Sequence, residues 1–444
     1  MFKKVSNFFV SLVQKYLPDP FIFAVILTFI VYVMGIFIAG NSPVEMVAHW
    51  GEGFWNLLAF AMQMSLVLVT GHALANSNLF KKILKSIAQV PSSPGQAILM
   101  TTFIAAIACW INWGFGLVIG ALLAKEMARQ VDGIDYPLLI ASAYSGFIVW
   151  HAGLAGSIPL TVATEGNFSQ EMIGGLIPIS ETIFSPFNLI LSAVVILSIP
   201  FINKFMLPDK EDRIVVDKEI LDDGNEKEES GKVVDNKEMF FADKVENSPF
   251  LSVLLGILGL SYIGYYFSQG GGLNLNIVIF IFLVLGIILH KTPRRYLTAF
   301  NEAVKSAGGI ILQFPLYAGI MGMMVSSGLA TIISEWFVSI STANTFPFFS
   351  FLSAGLVNFF VPSGGGQWSV QAPVMIPAGT ELGVDAAKTA MAVAWGDAWT
   401  NMIQPFWALP ALGIAGLGAR DIMGYCIVIL LWVGALASVG FIVF

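Results

Sequence analysis

The chain has 444 residues, 56% of them hydrophobic and 11% charged, against about 25% charged in a soluble domain. With a mean hydropathy of +0.78, it has room for about ten apolar spans of about 20 residues and little else, which excludes water-soluble enzymes and nucleic-acid binders. The net charge of −7 is local, because 209–246 holds 14 acids against 7 bases while the remainder balances at 15 against 15.

In chain order, Lys3, Lys4 and Lys15 precede an apolar stretch at about 20–38. This is too long for a signal peptide and lacks a small-residue cleavage site. It reads as the first span of a multi-pass protein whose N-terminus is cytoplasmic by the positive-inside rule. Further spans are expected at about 54–76, 136–158, 184–203, 249–267, 273–290, 303–325, 385–411 and 421–443. Basic clusters (Lys81, Lys82, Lys85; Lys125, Arg129; Lys204; Lys291, Arg294, Arg295, Lys305; Arg420) alternate with connections free of Lys and Arg, as cytoplasmic and external turns should. Lys388 is the exception, at the outer end of its helix, where it can snorkel. The segment 207–247 is too polar to build a core and reads as a charged cytoplasmic linker. Cys109 and Cys426 lie in apolar runs and read as packing residues.

At a shift of 250, Gln63, Leu66, Leu79, Ile83, Gly114, Gly116, Gly133, Asp135 and Gly146 recur as Gln313, Leu316, Leu329, Ile333, Gly364, Gly366, Gly383, Asp385 and Gly396. An extra span at about 248–268 makes the second half begin on the opposite face. The expected fold is therefore an all-α polytopic membrane protein with inverted-topology repeats, 1–206 and 269–444. It should have about nine full spans plus two re-entrant helical hairpins, at about 96–131 and 347–378, each followed by a broken transmembrane helix at about 136–158 and 385–411.

The hairpin tips read INWGFG at 111–116 and VPSGGGQWSVQAP at 361–373, with arms of about 15 residues. Backbone of this kind is tolerated at membrane depth only where it lines a cavity, although a kinked, Gly-packed helix is the plainer alternative. The helices after the hairpins should break at the paired glycines Gly146 and Gly396. Counting about 1.5 Å per residue from Asp385 puts Asp397 roughly 18 Å along its helix, an ionisable group at mid-depth and hence a functional candidate. His151 lies at similar depth and is as easily a packing residue as a ligand; its repeat mate is Asn401, beside Thr400. His72, Gln63 and Gln313 read as interhelical bonding groups. Tryptophans can simply form interfacial belts, yet Trp113, Trp368, Trp395 and Trp399 fall at the breaks, where they could wall in a short apolar tail.

The centre has no Lys or Arg, so a negative substrate must be held by half-helix N-termini, backbone amides, hydroxyls and amide side chains. One carboxylate is easier to hold than two, and a co-bound cation offsets its charge. These residues point to a small amphiphilic monocarboxylate, with sodium/proton exchange left open.

The stretches VPSGGGQWSVQAP, MIPAGTELG and AWGDAWTNMIQPFWALPALGIAG resemble the AtoE-type short-chain fatty acid transporter family of the ion transporter superfamily, over nearly the whole chain. The resemblance implies import of short-chain carboxylates such as butyrate or acetoacetate across a bacterial cytoplasmic (inner) membrane, with H+ or Na+ as coupling ion and no cofactor or metal. It carries Ser363, Gly364, Gly365, Gly366, Gln367 and Trp368 to one substrate-binding tip, facing Thr400 and Asn401. Asn112, Trp113, Gly114, Gly116 and His151 form the other side, with Asp397, Ser145, Gly146 and Gly396 at the coupling ion. It also implies a homodimer in which an elevator-like transport domain moves against a scaffold. The dicarboxylate branch carries Ser-Asn-Thr at its tips, where this chain has Trp-Gly-Phe-Gly and Ser-Gly-Gly-Gly. Rival readings are a cation/proton antiporter with Asp397 as carrier, a passive channel, and a membrane enzyme with His151 and Asp397 as acid/base pair, which needs the two in hydrogen-bond reach.

Overall fold

The computed structural model describes residues 20–216, 221, 240–358 and 361–443. All regular structure among them is helical. Seven helical segments are long and apolar enough to cross a membrane, and shorter apolar helices fill in between.

The first half opens with α1 (Pro20–Phe37), α2 (Pro43–Gly53), α3 (Leu58–Ala75) and α4 (Asn78–Ala88). A capping box starts α2: the Ser42 hydroxyl accepts from the Glu45 N–H at 3.2 Å, and the Glu45 carboxylate accepts from the Ser42 N–H at 2.7 Å. The hydrogen bond from the Ser42 N–H, and after it the Ser42 side chain beside the carboxylate, hold the exposed Glu45 carboxyl below its ordinary range. The first hairpin is α5 (Pro94–Ile111) and α6 (Trp113–Gln130), 18 residues each, so its arms exceed the expected length. At about 1.5 Å per residue each arm comes to roughly 27 Å, near the full bilayer core. Next come α7 (Tyr136–Ser145), a 3-10 turn (Gly146–Ala152), α8 (Ser157–Val162) and α9 (Pro186–Phe205). The first helix thus breaks at Gly146, as its sequence suggests.

The peripheral α10 (Pro249–Ser268) seats Gly256 and Gly259 against Ile288 and Val284 of α11 (Leu275–His290). Then follow α12 (Pro293–Val304), α13 (Gly308–Ser326), α14 (Leu329–Ile340), the second hairpin α15 (Phe346–Val357) and α16 (Gly364–Glu381), α17 (Ala386–Thr400), a 3-10 turn (Asn401–Ile403), α18 (Pro405–Ala415) and α19 (Ala419–Val443). The internal repeat is visible in local structure. Gly133 and Gly383 both adopt positive φ, +67° and +73°, and Asp135 and Asp385 both cap the following helix. Packing is reciprocal: α1 and α2 lie on α13, while α11 and α12 lie on α3.

One expectation fails in an informative way. The second helix runs unbroken through Gly396 and Asp397 and breaks only at Asn401. The paired glycines share a packing role instead, since each lets its helix press against the first arm of its hairpin. A Cβ on Gly146 would sit 2.5 Å from the Ala106 nitrogen, and one on Gly396 would sit 2.2 Å from the Phe351 carbonyl oxygen.

The linker begins as structure and not as a free connector. Residues 208–216 fold back on the elbow between α6 and α7, where the Arg213 guanidinium donates to the Gly133 carbonyl at 3.1 Å. There the Ile214 N–H donates to Asp135 Oδ2 at 2.9 Å, and the Tyr136 N–H to the Ile214 carbonyl at 2.9 Å. Arg129 pairs with Glu126 and donates to the Leu221 carbonyl. Residues 217–220 and 222–239 lie outside the described residues.

Candidate functional site

Two helix N-termini converge inside the bundle. Asn112, extended at φ −157°, caps α6 by accepting from the Phe115 N–H at 2.9 Å. Ser363, extended at φ −158°, caps α16 by accepting from the Gly366 N–H at 3.4 Å. Each cap turns the chain at a hairpin tip and leaves the positive end of a helix dipole, with its unpaired amides, in the interior. Trp150 touches both tips: its ring lies 5.6 Å from Trp113, and a Cβ on Gly364 would meet it at 2.7 Å and His151 Nε2 at 2.2 Å. Only glycine lets the α16 tip close this far onto His151.

The two broken helices cross here and are bonded to each other. Trp150 Nε1 donates to Asn401 Oδ1 at 2.9 Å, and the Tyr144 hydroxyl donates to the Asn401 carbonyl at 2.6 Å. His151 Nδ1 bonds the Ala394 carbonyl at 2.9 Å. Asn401 Nδ2 donates to Asp397 Oδ1 at 3.4 Å and to Gln404 Oε1 at 3.1 Å. The second break is held open from outside: Asn358, just after α15, donates to the Asp397 carbonyl at 2.7 Å and to Thr400 Oγ1 at 2.9 Å, and Gln404 donates back to the Asn358 carbonyl. The first of these bonds satisfies a carbonyl at the end of α17, where intrahelical partners run out.

Several polar atoms of the cluster are buried without a partner among the described residues: Asn112 Nδ2, Trp113 Nε1, His151 Nε2, Asn358 Oδ1, Gln367 Oε1 and Asp397 Oδ2. Most buried polar groups are paired, so this concentration sets the cluster apart as the candidate site. His151 and Asp397 are not bonded to one another, since one ring nitrogen of His151 takes Ala394 and the other is unpartnered. No group of three or more His, Cys, Asp or Glu able to hold a metal occurs among the described residues.

The other expected residues divide. Thr400 is in the network, donating to the Gly355 carbonyl at 3.0 Å, and Gln367 holds the Ala354 carbonyl at 2.8 Å. Gly114 and Gly365 press on Leu68 and Phe60 of α3 and Gly366 on Tyr317 of α13, which seats the tips on those helices, while Gly116 presses on Cys109 of its own hairpin's first arm. Ser145 is engaged elsewhere, donating to the Ser142 carbonyl and accepting from Asn203 Nδ2 at 2.8 Å, while Gly146 and Gly396 serve the arm packing described above. Trp368 and Trp395 donate to Ser169 Oγ at 3.1 Å and Asn188 Oδ1 at 3.0 Å. Trp399 faces α19, bonding the Leu430 carbonyl at 2.7 Å.

The aromatic wall at the tips is made instead by Trp113, Trp150, Trp407 and Phe147. Ring centroids are 5.5 Å apart for Trp113–Trp407 and 5.3 Å for Phe147–Trp150, and His151 stacks on Trp150 at 3.7 Å. Gln404, Asn358 and this use of Trp150 and Trp407 were missed by the sequence reading. Asn358 carried a signal, as the one amide in the apolar run 346–361.

The short chain fatty acid transporter family profile matches residues 1–444. A provisionally named short-chain fatty acid transporter of Escherichia coli strain K12 is 46% identical over 445 residues, covering 100% of both chains. One so named in Haemophilus influenzae is 45% identical over 447 residues, 99% of both chains. The fold is similar to the crystal structure of the Alcanivorax borkumensis YdaH transporter, described as having an unusual topology, with a TM-score of 0.63 over 96% of this chain and 97% of that one. At 17% identity this likeness concerns the fold alone. A multi-pass helical membrane protein matched from end to end by this profile and by two full-length relatives, the chain belongs to the short-chain fatty acid transporter family.

Proposed function

We propose that the protein is a secondary active transporter that imports short-chain monocarboxylates of the butyrate and acetoacetate type across a bacterial cytoplasmic membrane, coupled to H+ or Na+. The observation that carries this reading is the meeting of two capped helix N-termini with unpartnered buried polar atoms beside an aromatic wall. The carboxylate lies at the N-termini of α6 and α16, the short tail lies against Trp113, Trp150 and Trp407, and Asp397 serves the coupling cation. No Lys or Arg joins the cluster, which suits one carboxylate and not two.

The reciprocal packing of α1–α2 on α13 and α11–α12 on α3 supports an inverted repeat, with α10 switching the face on which the second half begins. The hairpins and broken helices then form an elevator-like unit moving against a scaffold that dimerises, and the N-terminus and linker are cytoplasmic. Uptake of labelled butyrate into proteoliposomes under a proton gradient, a sodium gradient and neither tests this. Uphill accumulation under one gradient is expected. Cation exchange without any butyrate uptake would replace this reading with the antiporter, which the unpartnered Asp397 Oδ2 also suits.

A further inference from the structure

We infer that the substrate carboxylate binds together with one proton, shared between its oxygen and Nε2 of His151, so that acid and proton cross as a neutral pair. The inference rests on the transporter function proposed above, takes its coupling ion to be a proton, and moves that ion from Asp397 to His151.

The geometry fixes the tautomer. The Ala394 carbonyl oxygen can only accept, so His151 Nδ1, 2.9 Å away, carries the hydrogen. In a neutral imidazole Nε2 is then a bare acceptor. It is fully buried, has no partner among the described residues and faces the α16 tip at Gly364. A carboxylate brought to that nitrogen sets acceptor against acceptor. Adding one proton turns the same contact into a charge-assisted hydrogen bond. Whether the proton rests on nitrogen or oxygen, the count is one proton per carboxylate and the net charge of the pair is zero. The proton enters from bulk water with the acid and leaves with it, once the α16 tip lifts from the imidazole.

Few other titratable groups face this position. Among the elements packed on the 3-10 turn, α5 supplies Cys109, α7 supplies Tyr144 and α17 supplies Asp397, while α8 has none; Tyr136 and Lys388 lie at the starts of α7 and α17. Lys125, Glu126 and Arg129 of α6 and Lys204 of α9 lie at the far ends of their helices, at least roughly 18 Å from the tip end. Glu381 likewise closes the far end of α16. Asp397, one turn beyond Ala394, is the rival proton carrier.

Calorimetric titration of the full-length protein in detergent with butyrate, in phosphate and in Tris at pH 7 and 8, reads protons taken up on binding. Wild type is expected to take up about one proton per butyrate, with Kd rising about tenfold per pH unit. His151→Gln places a permanent amide donor near Nε2 and is expected to bind with no proton uptake and a flat pH profile. His151→Asn, which keeps a donor for the Ala394 carbonyl but loses the distal nitrogen, is expected to lose proton uptake as well. Butyrate binding by wild type without proton uptake overturns the inference and leaves the transporter reading standing. So does proton uptake that persists in His151→Gln and disappears in Asp397→Asn. Absence of both butyrate binding and gradient-driven butyrate uptake overturns the substrate reading, and this inference with it.

Discussion

Asn358→Ala tests what holds the second helix break. Its amide makes two buried hydrogen bonds, to the Asp397 carbonyl at 2.7 Å and to Thr400 Oγ1 at 2.9 Å. Removing it strands the buried Asp397 carbonyl, at about 1–3 kcal/mol for an unsatisfied buried acceptor. Thr400 keeps its own donation to the Gly355 carbonyl, so the loss there is only the ordinary worth of one bond, about 0.5–1.5 kcal/mol. The sum is about 1.5–4.5 kcal/mol, weighted toward the joint between α15 and α17. Denaturant titration in mixed micelles, followed by tryptophan fluorescence, should show a fall of that size, and butyrate KM should rise because Asp397 and Asn401 lose their fixed geometry. Destabilisation under about 0.5 kcal/mol with unchanged KM would mean that the break is intrinsic to Asn401–Gln404 and that Asn358 is incidental.

Four further outcomes are expected. Gly396→Ala forces a Cβ to within 2.2 Å of the Phe351 carbonyl oxygen and should cost about 1–3 kcal/mol or more in the same titration; Gly413→Ala, with nothing within 4 Å, should be neutral or slightly stabilising. Trp395→Phe removes the donor to Asn188 Oδ1 and should cost roughly 1–3 kcal/mol with little change in uptake. Deleting 222–239 should leave melting temperature and uptake unchanged, whereas a deletion that begins at 209 also removes the contacts to Gly133 and Asp135 and the buried Leu221 and should lower melting by several degrees. Glu45 titrates below its ordinary range in the folded state, so its capping contribution is present above the unfolded value and fades as pH falls through the folded one. Hydrogen exchange at the Ser42 amide should therefore gain extra protection loss below about pH 4.5, an effect that Glu45→Gln, which keeps the box without the charge, should abolish.

Much of this was legible because it depends on local chemistry. Proline and glycine at 361–366, an asparagine before Trp113, and Gly133/Asp135 repeated as Gly383/Asp385 each specify a turn or cap that needs no distant partner. The second break was misplaced for the opposite reason. Glycine at 396 suggested a break, but the helix ends where Asn358, itself held by Gln404, reaches the Asp397 carbonyl, and no pattern within 386–400 encodes its arrival. The tryptophans mislead similarly. Trp399 and Trp150 look alike in sequence, yet one faces α19 and the other sits between the two tips. The linker's composition overlooked Arg213 and Ile214, whose partners lie about 80 residues back.

The exchange of helices between halves also bears on biosynthesis. Gln63 of α3 finds its partner Asn276 in α11, 213 residues later, so at roughly 5–20 residues per second the ribosome needs about 10–40 s to deliver it. Through that interval α3 rests in the membrane with the face meant for α11 and α12 turned to lipid, and α13 in turn completes the seating of α1 and α2. The nascent first half is thus an unfinished surface until translation has passed α13.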